Sequence, residues 1–196
     1  MTPRHGWMPF AAGALLAASV GWLGLPALLY ERRPQPVDFS HKAHGPGGAG
    51  LSCDDCHALA ADGRFAGIPP MARCAECHAE PIGDNPAERR LVDDYIKTGR
   101  AIPWIGYARM PDNVHFPHAV HVRLAGLACA QCHGEHGADE TLRPAEINRL
   151  TGYGRDIWGH SALRAGLRPW EGKKMTDCSG CHRDRGVQES CLDCHK

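Results

Sequence analysis

The longest apolar stretch runs from Trp7 to Tyr30, 24 residues without a charged side chain. As one helix it would measure about 36 Å, enough to cross the apolar thickness of a bilayer. Arg4 precedes it and Glu31, Arg32 and Arg33 follow, with Trp7, Trp22 and Tyr30 near its ends, where interfacial aromatics belong. The pattern predicts one transmembrane anchor helix within residues 1–33. A cleaved signal peptide has an apolar core of about 7–15 residues followed by a small-residue site. Ala17-Ala18-Ser19 offers such a site, but the apolar run continues well past it.

Beyond the anchor the pattern thins out. Leu, Ile, Val and Phe fill 26 of the 166 positions from 31 to 196, about 16%, a share found in chains that build no side-chain core. One interval keeps helical periodicity: Leu91, Val92, Tyr95 and Ile96 share a face. Asn85 reads as its N-cap, Pro86 as its first residue and Gly99 as the residue after its end. A helix of about 13 residues is expected there, within a linker spanning 83–111. Trp104, just after it, either anchors a partner or packs on a cofactor. The remainder predicts mostly coil with short α-helices, its interior filled by something other than aliphatic side chains.

Composition says what fills it. All ten cysteines fall into five copies of Cys-x-x-Cys-His: Cys53/Cys56/His57, Cys74/Cys77/His78, Cys129/Cys132/His133, Cys178/Cys181/His182 and Cys191/Cys194/His195. This is the attachment signature of c-type haem. Cysteines at i and i+3 share one face of a helical turn, and the next histidine offers its imidazole from the same side. Zinc sites, disulfides and thioredoxin-like pairs leave a histidine after every pair unexplained. Five covalently bound haems are expected, and their attachment places residues 34–196 in the periplasm, on the outer face of a bacterial inner membrane, with the N-terminus cytoplasmic. The 22 basic and 22 acidic side chains cancel, which leaves no basic excess for nucleic acid. Haem propionates would make the loaded protein acidic and favour a basic docking face on a partner.

Seven histidines after the anchor lie outside the motifs. Phe39-Ser-His41-Lys-Ala-His44 precedes Cys53, and Phe116-Pro-His118-Ala-Val-His121 precedes Cys129 at nearly the same distance. This internal repeat divides the chain into a dihaem module at 34–82 and a trihaem module at 112–196. Phe-x-His-x-x-His ahead of Cys-x-x-Cys-His resembles the class III multihaem cytochromes c. That resemblance implies bis-histidine irons: His41 for the Cys53/Cys56 haem, His44 for Cys74/Cys77, His118 for Cys129/Cys132 and His121 for Cys178/Cys181. The same resemblance implies a fifth distal ligand just before the fourth motif, where this sequence departs from the family by carrying Met175 in place of histidine. Thioether is a known haem ligand. His160 and His136 are the alternatives.

The Ile102-Pro103-Trp104 element, then Pro111-Asp-Asn-Val-His-Phe-Pro-His118-Ala-Val-His121-Val122, sharpens the resemblance. The chain resembles the pentahaem cytochrome c subunit of alternative complex III and of menaquinone reductase complexes. That implies an electron relay with no catalytic residues of its own. It would be partnered by an iron–sulfur/molybdopterin-type subunit, a polytopic quinone-binding subunit and a soluble electron carrier. A standalone membrane-anchored quinol dehydrogenase feeding a periplasmic reductase is the alternative, although that family lacks the paired Phe-x-His-x-x-His clusters.

Overall fold

The computed structural model describes residues 7–24, 28–63, 67–107, 113–150, 173 and 175–195. Helix α1 (Trp7–Ser19) opens the chain and runs into a wider π-type turn at Val20–Gly24. An unbroken helix from Trp7 to Tyr30 does not form: Tyr30 already belongs to strand β1 (Tyr30–Arg33). Gly21 and Gly24 are weak helix formers, and the sequence adds a helix-disfavouring proline at position 26. Among the described residues no helix is long and apolar enough to cross a membrane. The side chains of α1 are nonetheless largely bare, with Phe10 78% and Leu15 70% exposed.

Strand β1 pairs antiparallel with β2 (Ala145–Asn148), Tyr30 opposite Asn148 and Arg33 opposite Ala145. Arg32 and Glu146, directly opposed, form an ion pair at 3.2 Å. The ladder joins the foot of the apolar segment to a stretch more than a hundred residues later.

Between and beyond these strands the chain is coil punctuated by short helices: α2 (His41–His44), α3 (Cys53–Cys56), α4 (Met71–His78), α5 (Pro86–Arg90), α6 (Ala130–His133), α7 (Met175–Asp184) and α8 (Cys191–Cys194). Helix α5 continues as a π-type segment, Leu91–Ile96. The Asn85 side chain accepts from the Ala87 amide at 2.9 Å at its start, and Gly99 turns the chain at its end with φ +68°. Val92 and Tyr95 are buried there. The buried apolar residues among those described are Val37, Val92, Tyr95 and Ala145. Four such residues make a sparse side-chain core for the described part of the chain.

Candidate haem attachment and ligand sites

Every Cys-x-x-Cys-His motif sits on a helical turn, in α3, α4, α6, α7 and α8, with Cys129 as the cap residue of α6. All ten thiols are free. Two of the turns carry a built-in cap. The Ser52 amide donates to Asp55 Oδ2 at 2.7 Å, and the Ser190 amide to Asp193 Oδ2 at 2.6 Å. Both aspartates occupy a variable position of the motif, so that position contributes to nucleating the turn. The Ser-Cys-x-Asp spacing is the sequence signal for this.

The sequence treats the ten cysteines alike, and the structure does not. Cys77 and Cys181 are exposed, while Cys74 and Cys178, the first cysteines of the same two motifs, are half-buried. The first and fifth motifs reverse the order: Cys53 and Cys191 are exposed, Cys56 and Cys194 half-buried. Only in the third motif are both members, Cys129 and Cys132, half-buried. In four motifs the polypeptide itself half-buries one sulfur of the pair and leaves the other at its surface.

Cysteines of different motifs lie near enough to influence one another. Burial pushes the Cys74 thiol up, and neighbouring Cys56 adds to it. Burial likewise raises Cys129, next to Cys53, with which it also shares a hydrogen bond. Burial raises Cys178, with Asp177, Cys194 and Cys132 contributing. The cross-module link runs through Cys53 and Cys129.

Four pairs of imidazoles face each other at similar separations. Ring centroids lie 5.9 Å apart for His44 and His78, 6.4 Å for His118 and His133, 6.1 Å for His121 and His182, and 6.1 Å for His41 and His136. Two imidazole nitrogens bonded to one metal at about 2.0 Å each, plus about 1.1 Å from nitrogen to ring centre on each side, span about 6.2 Å. The three pairs that contain a motif histidine, His44–His78, His118–His133 and His121–His182, therefore fit an iron between them.

The other ring nitrogens point the same way. His44 Nδ1 donates to the Ser40 carbonyl at 2.8 Å and His121 Nδ1 to the Pro117 carbonyl at 3.0 Å. His57 Nδ1 donates to the Gly67 carbonyl at 2.8 Å. His78 Nδ1 donates to Glu88 at 2.7 Å, His136 Nδ1 to Asp139 at 2.6 Å, and His182 Nδ1 to Glu189. With Nδ1 occupied, Nε2 is left for a metal, and the partner fixes tautomer and ring direction.

The other expected ligands are placed differently. Met175 is the first residue of α7, three residues before Cys178, and its side chain is exposed. His160 lies outside the described residues. His195 is aligned by an antiparallel bridge with Val114, and the His115 amide donates to the Cys194 carbonyl at 2.7 Å. Trp104 is half-buried and lines, with Ile68, Met71, Cys74 and Ile102, a cavity of about 360 Å³ beside the second motif.

No family model matches the chain. In an alignment of 209 positions that covers 97% of the chain and 90% of the relative, it is 38% identical to the menaquinone reductase multihaem cytochrome c subunit of Nitratidesulfovibrio vulgaris Hildenborough. The chain belongs to this family of multihaem cytochromes c. The sparse core is then accounted for, because a multihaem cytochrome c packs its backbone around covalently held macrocycles. Its paired thiols and doubly presented imidazoles are the parts that c-type haem requires.

Proposed function

We propose that this multihaem cytochrome c is a pentahaem electron relay, anchored in a bacterial inner membrane with its haem modules in the periplasm, and a subunit of a menaquinone-linked oxidoreductase complex. The observation that carries the reading is the set of imidazole pairs at iron spacing, three of them containing the histidine of an attachment motif. Bound haem supplies a one-electron iron couple whose potential responds to axial ligand, hydrogen bonds to the ligands and burial. The chain does the rest. Its cysteines fix the five macrocycles in sequence-defined places, and its histidines fill both axial positions of four irons. The neighbouring motifs keep successive haems close enough for electron transfer. His41, His44, His118 and His121 serve as distal ligands, and the Met175 thioether is assigned to the fifth iron. Filled axial positions suit outer-sphere transfer and leave no open iron for substrate.

The bare apolar surface of α1 favours a lipid setting for the N-terminal segment. The name of the relative favours a quinone-linked complex, in which this chain would contact an iron–sulfur/molybdopterin-type subunit and a polytopic quinone-binding subunit. Two measurements test the reading. Pyridine haemochrome and intact-mass analysis should give five haems per chain. Gentle solubilisation of the native membrane should co-purify the chain with those two subunits. Recovery of the cytochrome alone, with quinol oxidation intact, would overturn the complex in favour of a standalone quinol dehydrogenase.

A further inference from the structure

We propose that the Ile102-Pro103-Trp104 turn walls the second haem site, with Trp104 packed on the apolar edge of the macrocycle carried by Cys74 and held there by Gln35. The inference rests on the haem-relay reading above.

Helix α4 carries Met71, Cys74 and His78 at i, i+3 and i+7, which puts them on one face. Met71 and Cys74 line the cavity of about 360 Å³. The cavity therefore opens along the helix face that presents His78, the face on which a haem bonded to Cys74 and His78 must lie. The rest of its lining includes Ile68, Ile102, Pro103 and Trp104. Among the described residues no charged side chain lines it. A porphyrin is apolar along the edge that carries its thioethers and charged along the edge that carries its propionates. A lining of this kind takes the first edge and leaves the second to solvent. Ile68 borders the cavity while 50% exposed, apolar surface that a macrocycle tethered at Cys74 would cover. The indole of Trp104, half-buried on the same cavity, brings the largest flat apolar face of the set.

The turn that presents Trp104 needs no cofactor to form. Pro103 stands at the centre of a three-residue turn, closed by the Trp104 amide donating to the Ile102 carbonyl at 2.9 Å. The next residue is gripped by both ends of one side-chain amide. Gln35 Nε2 donates to the Ile105 carbonyl at 2.8 Å, and the Ile105 amide donates to Gln35 Oε1 at 3.0 Å. Gln35 lies two residues beyond the end of β1. The segment leaving the β1–β2 ladder thus positions an aromatic ring beside the second attachment motif.

The test uses the haem-loaded, full-length protein and four variants: Trp104→Ala, Trp104→Phe, Gln35→Ala and His44→Ala. Each is read by haem content, by the low-spin ferric signals in electron paramagnetic resonance and by equilibrium redox titration. His44→Ala marks the second haem, because it removes that haem's low-spin signal. Trp104→Ala should move one low-spin signal, the same one that His44→Ala removes. It should also lower one potential, because water at a haem edge favours the ferric form. The expected change is about tenfold in the ferric-to-ferrous ratio, or about 59 mV for one electron. Gln35→Ala should move the same signal and potential in the same direction by less. Trp104→Phe, which keeps an aromatic ring, should recover most of the shift. Unchanged signals and potentials in Trp104→Ala would overturn the proposal and leave Trp104 as a partner anchor. A shift in a haem other than the one His44→Ala marks, or loss of more than one haem, would overturn it as well. Fewer than five haems in the unaltered protein, or a His44→Ala protein with every signal intact, would instead fault the haem-relay reading.

Discussion

Phe39 lies flat against His44, ring centroids 4.3 Å apart and planes 21° from parallel. Phe116 lies against His121 in the same way, at 4.3 Å and 23°. In each copy the aromatic ring sets the plane of the second histidine, and a carbonyl four residues back sets its tautomer. The motif is thus a self-contained ligand holder. Removing the ring in Phe39→Ala gives up about 0.5–1.5 kcal/mol of pairing. The haem on Cys74/Cys77 should then open several-fold more often, read as faster carbon monoxide binding to one haem, with Phe39→Leu showing a smaller effect.

Glu88 grips both the second haem's histidine and the backbone beside it. It accepts from His78 Nδ1 at 2.7 Å, the Ile82 amide at 2.9 Å and the Gly83 amide at 3.1 Å. A carboxylate there makes His78 a stronger donor and favours ferric iron. Glu88→Gln should raise one haem potential in an equilibrium redox titration by roughly 60 mV, the equivalent of about 1.4 kcal/mol for one electron.

The same carboxylate gives that haem a pH dependence of definite sign. The Ile82 amide foremost, with the Gly83 amide and His78, holds the Glu88 carboxyl below its ordinary value. A depressed carboxylate contributes stability above its unfolded pKa and loses it as pH falls through the folded one. The potential of the second haem should therefore hold steady from neutrality down to the ordinary carboxylate range and rise below it. The Glu88→Gln protein should show no such rise.

The helix between the modules is stabilised independently of haem. Asn85→Ala removes the cap on Ala87 and should cost about 1 kcal/mol. Gly99→Ala places a side chain at φ +68° and should cost a comparable amount. Thermal melts should fall for both, with haem content and spin state unchanged.

If Met175 ligates the fifth iron, the oxidised protein should show the weak charge-transfer band of His/Met haem at about 695 nm. Met175→Leu should abolish it. A band missing from the unaltered protein removes Met175 from the ligand set.

Local chemistry was legible in the sequence, and distant contacts were not. The cysteine spacing, the Asn85 cap and the Gly99 turn each depend on residues a few positions apart, so pattern alone finds them. The apolar run misled at its C-terminal end, because an uncharged composition does not reveal that Tyr30 enters a strand. Nothing near Tyr30–Arg33 announces Ala145–Asn148 as its partner. Likewise nothing near His41 points to His136. That meeting is made by Lys42, Asp38, Asp139 and Glu140 across the fold, and each of those reads locally as an ordinary surface charge.

The β1–β2 ladder decides how far the molecule can swing. Six steps of chain separate Gly24 from Tyr30, which at full extension reach about 20 Å. At Tyr30 the chain is already locked to residues that follow the third attachment motif. Whatever takes up α1 therefore holds the third motif's neighbourhood on a short strut rather than a long leash.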